Sequence, residues 1–139
     1  MSRKSGKIEA LISAFEGREL DPHYLAYFEC FNRQLYFEAH DVLEVLWLKD
    51  RKSSQGLFYK GLIQLAGAFV HLQKQRLGPA AALFRLAREN LRACPPILDK
   101  LDVSNVLRLT EDWLVRLENG GFLVDPLSAA TVPSLRLLD

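Results

Sequence analysis

The sequence predicts an all-α fold, a compact single-domain bundle of about six helices with a non-helical C-terminal tail. Apolar residues recur at intervals of three and four residues in six separate segments, which is the spacing of one helix face. Glycine and proline pairs lie between several of these segments, and no segment alternates apolar and polar residues as a strand would. With 139 residues and a hydrophobic fraction of 49%, the chain is long and apolar enough for one packed domain, residues 1–139.

The predicted helices follow from local start and stop signals. Asp21 and Pro22 open the second helix, because an aspartate oxygen can cap free N–H groups and proline is tolerated at the first helical position. Ser53 or Ser54 can cap the fourth helix in the same way. The expected bounds are about 7–16, 21–32, 35–48, 54–76, 79–93 and 102–118. A tail over 122–139 follows, and its apolar residues suggest that it lies along the body.

Charge and composition restrict the function. Eighteen basic residues nearly balance seventeen acidic ones, which argues against a dedicated nucleic-acid surface. The most apolar stretch, Leu57–Leu72, contains a lysine, a glutamine and a histidine and is too short to span a bilayer. No unbroken apolar segment of a secretory signal follows the basic N-terminus, and the two cysteines, Cys30 and Cys94, are far apart. We therefore expect a cytoplasmic protein that does not enter membranes.

One stripe of the third helix is polar beside its apolar core face. His40, Glu44 and Trp47 are spaced at i, i+4 and i+7, so they point in nearly the same direction. Glu38 lies near the start of the same helix, where a negative charge favours the helix dipole.

A second unusual stripe lies on the fourth helix, which is otherwise apolar almost all round. It combines the small residues Gly61 and Ala68 with the long polar residues Gln64 and His71. The small residues allow a neighbouring helix to approach closely. Because a short turn joins the third and fourth helices, we expect them to be antiparallel neighbours. The polar partners of this stripe should then be Glu38, His40, Asp41 and Glu44.

Three interpretations of this cluster are open. The side chains can form a buried polar network that satisfies itself and fixes the helix register, and this interpretation is favoured. Alternatively, His40, Glu44 and His71 can form a two-histidine, one-carboxylate site for a divalent metal, the only cofactor that the pattern suggests. In the third interpretation His40 is a general acid–base catalyst, its tautomer set by Glu44, with Glu38 as a candidate base.

Two motifs resemble a known family. The segment FNRQLYFEAHDVLEVLW, residues 31–47, and the segment GLIQLA, residues 61–66, with a histidine five residues beyond it, resemble the bacterial and archaeal domain-of-unknown-function family 309. The resemblance covers about residues 28–92 and implies a compact, multi-helix cytoplasmic fold without an established activity. The motif residues that match are Glu38, His40, Glu44, Trp47, Gln64 and His71.

The sequence thus favours an uncharacterised binding or interaction module, with a peptide, a protein or a second copy of the chain as partner. A weaker resemblance of residues 61–94 to one tetratricopeptide hairpin adds the option of a peptide groove. The alternative is a metal-assisted hydrolase or acid–base enzyme that uses His40, Glu44 and His71. A module predicts a closed, mutually hydrogen-bonded cluster, whereas an enzyme predicts a pocket that reaches His40 and His71.

Overall fold

The computed structural model describes residues 6–139, and the basic N-terminal residues 1–5 lie outside the described part. It confirms the all-α prediction, with a short non-helical tail after the last helix. The helices are α1 (Gly6–Ala14), α2 (Pro22–Asn32), α3 (Tyr36–Asp50), α4 (Ser54–Gln73), α5 (Leu77–Arg92) and α6 (Val103–Asn119). A small antiparallel hairpin, β1 (Ile97–Leu98) and β2 (Leu101–Asp102), precedes α6.

The helix starts use the caps that the sequence predicts. Asp21 Oδ1 accepts a hydrogen bond of 2.8 Å from the backbone N–H of His23, directly after Pro22 enters the helix. Ser53 Oγ accepts one of 3.1 Å from the backbone N–H of Gly56. These bonds satisfy N–H groups that have no partner within the helix.

The connection between α4 and α5 differs from the prediction. α4 ends at Gln73, three residues early, and α5 begins at Leu77 rather than at Pro79. The backbone of Gln75 is left-handed, with φ of 58°, and the N–H of Arg76 returns to the carbonyl of His71 at 2.9 Å. This closing turn stops α4 before the Gly–Pro signal is reached.

The core is organised around α4. This helix packs against α3 on one side and α5 on the other, while α2 packs on α3 and α6 on α5. Phe69 of α4 lies at the centre, because its ring meets aromatic rings from four other helices. The distance from its ring centroid is 5.5 Å to that of Phe31, 5.1 Å to Tyr36, 5.2 Å to Phe84 and 5.0 Å to Trp113.

The close approach of helices at Gly61 is real, but the neighbour is α5 rather than α3. A Cβ atom at Gly61 would lie 2.8 Å from both Cγ and Cδ2 of Leu91. The expectation that this position faces the third helix is therefore wrong. α4 packs against a helix on each side, so its small residues allow a close approach of either α3 or α5. The spacing of these residues does not indicate which of the two helices approaches.

The C-terminal tail is held against the body by the side chain of Asn32. Its Nδ2 donates to the carbonyl of Leu135 at 2.8 Å, and its Oδ1 accepts from the N–H of Leu135 at 2.7 Å. The Leu135 side chain is buried, as expected for a tail that lies along the body. Leu123 and Val124 depart from that expectation, because they are 87% and 63% exposed.

α4 is the longest and most apolar helix, yet Lys60 is exposed on it. None of the helices within residues 6–139 combines the length and apolar character that crossing a membrane requires.

Candidate functional site

A pocket of about 240 Å³ opens between α3, α4 and α5. Three residues singled out by the sequence line it: His40 from α3, and Gln64 and His71 from α4. The rest of the lining is apolar and consists of Phe37, Ile63, Gly67, Val70 and Leu83. A larger depression of about 410 Å³ lies on the α3–α4 turn, but residues 48–53 alone line it, so no separate elements converge there. The pocket between the three helices is the candidate site because three helices line it and three of the residues singled out by the sequence meet there.

His71 brings a neutral imidazole to this pocket. Its Nδ1 is buried and has no hydrogen-bond partner among the described residues. Burial lowers the pKa of His71 below its ordinary value, and the positive charges of Arg76 and Lys74 lower it further. These effects favour the uncharged form of the ring.

His40 contributes a second imidazole from the opposite wall. Its ring lies parallel to that of Phe37, with an interplanar angle of 3° and centroids 6.3 Å apart. Its Nδ1 lies 3.4 Å from Oδ1 of Asp41, a long contact for a hydrogen bond. The sequence-based hypothesis gave Glu44 the role of fixing this imidazole, but the carboxylate placed against it is that of Asp41.

Gln64 is anchored from α5. Its Oε1 accepts a hydrogen bond of 2.7 Å from Nδ2 of Asn90. The expected partners were the polar residues of α3, so this expectation is wrong for Gln64. Asn90 was not predicted as part of the site. The signal for it is its place one residue before the buried Leu91, which becomes informative only when α5 packs on α4.

Residues 24–83 match the family model described as Domain of unknown function (DUF309). This match confirms the family resemblance. The DUF309 segment runs from α2 into α5 and contains every residue that lines the pocket, from Phe37 to Leu83. No curated protein and no solved structure matches the chain.

Three DUF309 motif residues lie outside the pocket lining. Glu38 and Glu44 are half-buried on α3. The ring of Trp47 is approached by Nζ of Lys60 from α4, at 5.9 Å from the ring centroid, within the range of a cation–π contact. Trp47 therefore contributes to the contact between α3 and α4 rather than to the pocket.

The predicted metal ligands are not gathered into one set. Within residues 6–139, no three or more His, Cys, Asp or Glu side chains are grouped so that they could hold a metal ion. His40 and His71 line the same pocket, but Glu44 does not. The structure thus gives the set of His40, Glu44 and His71 no support, and binding of a divalent metal stays a prediction from the sequence.

Proposed function

We propose that this protein is a binding module whose pocket between α3, α4 and α5 receives one apolar side chain of a peptide or protein partner. The observation that carries the proposal is the lining itself, in which five apolar residues surround two imidazoles and one amide. Apolar walls stabilise an apolar group by removing it from water, and a few polar atoms fix its orientation.

The size of the pocket supports a side chain rather than a larger molecule. Sites for drug-sized ligands usually have volumes of about 300–1,000 Å³. The volume here is about 240 Å³, which is below that range. At the rim, Phe37 is 58% exposed and offers further apolar surface that a partner would cover.

The closed, mutually hydrogen-bonded cluster that the sequence favoured is not formed, because Gln64 bonds to Asn90 and Nδ1 of His71 has no partner among the described residues. The pocket instead reaches His40 and His71, a feature that we expected of an enzyme. The lining contains no carboxylate, serine, threonine or cysteine, so it supplies neither a hydroxyl or thiol nucleophile nor a carboxylate base. An acid–base enzyme that uses His40 is the second candidate, and the position of Asp41 beside that imidazole favours it.

The test is an NMR titration of the ¹⁵N-labelled chain with N-acetyl derivatives of leucine and phenylalanine and with the corresponding amides. Saturable shifts are expected at the amides of Gly67, Val70 and Leu83. Binding should lie in the millimolar range, because each probe offers few atoms. N-acetylglycine, which lacks the apolar side chain, is the matched probe and should leave these amides unshifted.

Two variants connect the shifts with the pocket. Gly67→Leu should abolish them, because even a Cβ at this position would lie 3.1 Å from Cδ1 of Leu83 and a longer side chain would fill the pocket. Phe37→Ala removes an exposed ring and should weaken binding without disturbing the core. Leu86→Ala, at an exposed position of α5, is the control. The proposal is refuted if none of the apolar probes shifts the pocket amides, or if Gly67→Leu folds and still binds.

A further inference from the structure

The polar atoms of the pocket differ in what they can still bond. Gln64 has one amide oxygen and one amide nitrogen that carries two donors. Its oxygen already accepts from Asn90 at 2.7 Å. The oxygen keeps one lone pair, but the amide nitrogen makes no hydrogen bond among the described residues, so both of its N–H donors are available to an occupant.

The same reasoning applies to His71. A neutral imidazole carries one proton, on either Nδ1 or Nε2. Nδ1 is buried without a partner among the described residues, so a proton there would be an unpaired buried donor, which is costly. The proton therefore belongs on Nε2, and His71 too offers a donor.

Two positive charges lie near His71. The charged groups that act on its pKa are Arg76 and Lys74, both exposed at the end of α4 and in the turn that follows. On α3, the group facing the pocket is His40, with Asp41 beside it, and the side chain that α5 contributes is Leu83, which carries no charge. The His71 side of the pocket thus combines donors with nearby positive charge.

We infer that the pocket recognises the C-terminal residue of a peptide, with the apolar side chain in the pocket and the free carboxylate bonded by Gln64 and His71. This inference rests on the proposed function and specifies its ligand. A carboxylate only accepts hydrogen bonds, so it matches two donors. It also gains from the charges of Lys74 and Arg76 more than a neutral carbonyl would.

The test compares N-acetyl-leucine with N-acetyl-leucinamide, which differ only in the carboxylate. In the same NMR titration at low salt and pH 7, the carboxylate should bind about fivefold more tightly, because hydrogen bonds to an ionised group are the stronger ones. 4-Methylpentanoate carries the same branched apolar group and a carboxylate at the same spacing, but no peptide bond. It should bind more weakly than N-acetyl-leucine if a peptide terminus is the ligand.

Variants of the chain identify the residues that cause the preference for the carboxylate over the amide. His71→Phe keeps a ring of similar size and should remove most of the preference for the carboxylate. Lys74→Gln with Arg76→Gln alters only exposed side chains, so the fold is retained, and the preference should fall. His23→Gln, outside the pocket, should change nothing.

Equal or tighter binding of the amide would overturn this inference and leave the proposed binding module intact. A preference that survives both His71→Phe and the charge-neutral double variant would also overturn it, as would 4-methylpentanoate binding as tightly as N-acetyl-leucine. Failure of all the probes to shift the pocket amides would refute the proposed function itself.

Discussion

Two buried tyrosines offer a matched test of the core, because only one of their hydroxyls has a hydrogen-bond partner in the described part of the chain. Tyr27 and Tyr36 are 0% and 1% exposed, and both rings pack against Phe31. Tyr27 OH donates a hydrogen bond of 2.6 Å to the carbonyl of Leu62. Tyr36 OH is buried and has no hydrogen-bond partner within residues 6–139, and burial raises the pKa of Tyr36 to about 12. Replacement by phenylalanine removes only the oxygen in each case.

The two replacements should change the free energy of unfolding in different directions. Tyr27→Phe loses one hydrogen bond, and Leu62, inside α4, retains its helical bond, so the loss should be about 1 kcal/mol. Tyr36→Phe removes a hydroxyl whose burial without a partner costs about 1–3 kcal/mol. The missing oxygen leaves a small gap that offsets part of that gain. We therefore expect Tyr36→Phe to leave stability unchanged or to raise it by about 1 kcal/mol.

Urea unfolding followed by circular dichroism measures both changes. With a slope of about 1–3 kcal/mol per molar urea, a loss of about 1 kcal/mol lowers the midpoint by roughly 0.3–1 M. Equal slopes for the three proteins would show that the stability alone has changed. If Tyr36→Phe destabilised the protein as much as Tyr27→Phe, its hydroxyl would have a partner and the reasoning would be refuted.

Three further variants test other parts of the structure. Gly61→Ala should lower the free energy of unfolding by about 1–2 kcal/mol, because crowding Leu91 outweighs the better helix propensity of alanine; a stabilised variant would contradict this close approach. Asn32→Ala should speed hydrogen exchange at the amide of Leu135 and cost about 1–3 kcal/mol, since two hydrogen bonds are lost, and unchanged exchange would contradict the clamp. Because the fold lowers the pKa of His71 below 6.5, the unfolded chain binds more protons below that pH. Stability should fall from pH 7 to pH 5.5, more steeply in the parent than in His71→Asn; equal slopes would contradict the lowered pKa.

The elements of the fold could be predicted because their signals are local. A capping side chain acts within one turn of its own position in the sequence. Asp21, which precedes a proline, and Ser53, which lies three residues before Gly56, both cap helices as expected. The same holds for Gln64 and His71, which are seven residues apart on one helix and line the same pocket. Local geometry needs no knowledge of neighbouring helices.

The partners of these residues could not be predicted, because they depend on which helices meet. α4 is apolar on most sides, so its sequence does not state which face meets α3 and which meets α5. Gln64 was expected to meet α3 and instead accepts from Asn90 of α5. Asp41, adjacent to His40 in sequence, leaves the helix in a direction about 100° away around the axis, yet its carboxylate lies beside the imidazole. Side-chain rotation decides such a contact, and spacing does not describe it.

The two glycines that α4 carries in its interior have different consequences, and the difference bears on the pocket. A glycine in a helix costs about 1 kcal/mol relative to alanine. At Gly61 the packing of Leu91 requires it, since Cγ and Cδ2 of that side chain would both lie 2.8 Å from a Cβ. At Gly67 a Cβ would meet only one terminal methyl of Leu83, at 3.1 Å, which a small rotation of that side chain can relieve. The core therefore tolerates alanine at Gly67, whereas any larger side chain would occupy the pocket. Gly67 thus weakens the helix at the interior position where the absence of a side chain keeps the pocket open. This supports a pocket that functions in binding rather than one that results from imperfect packing.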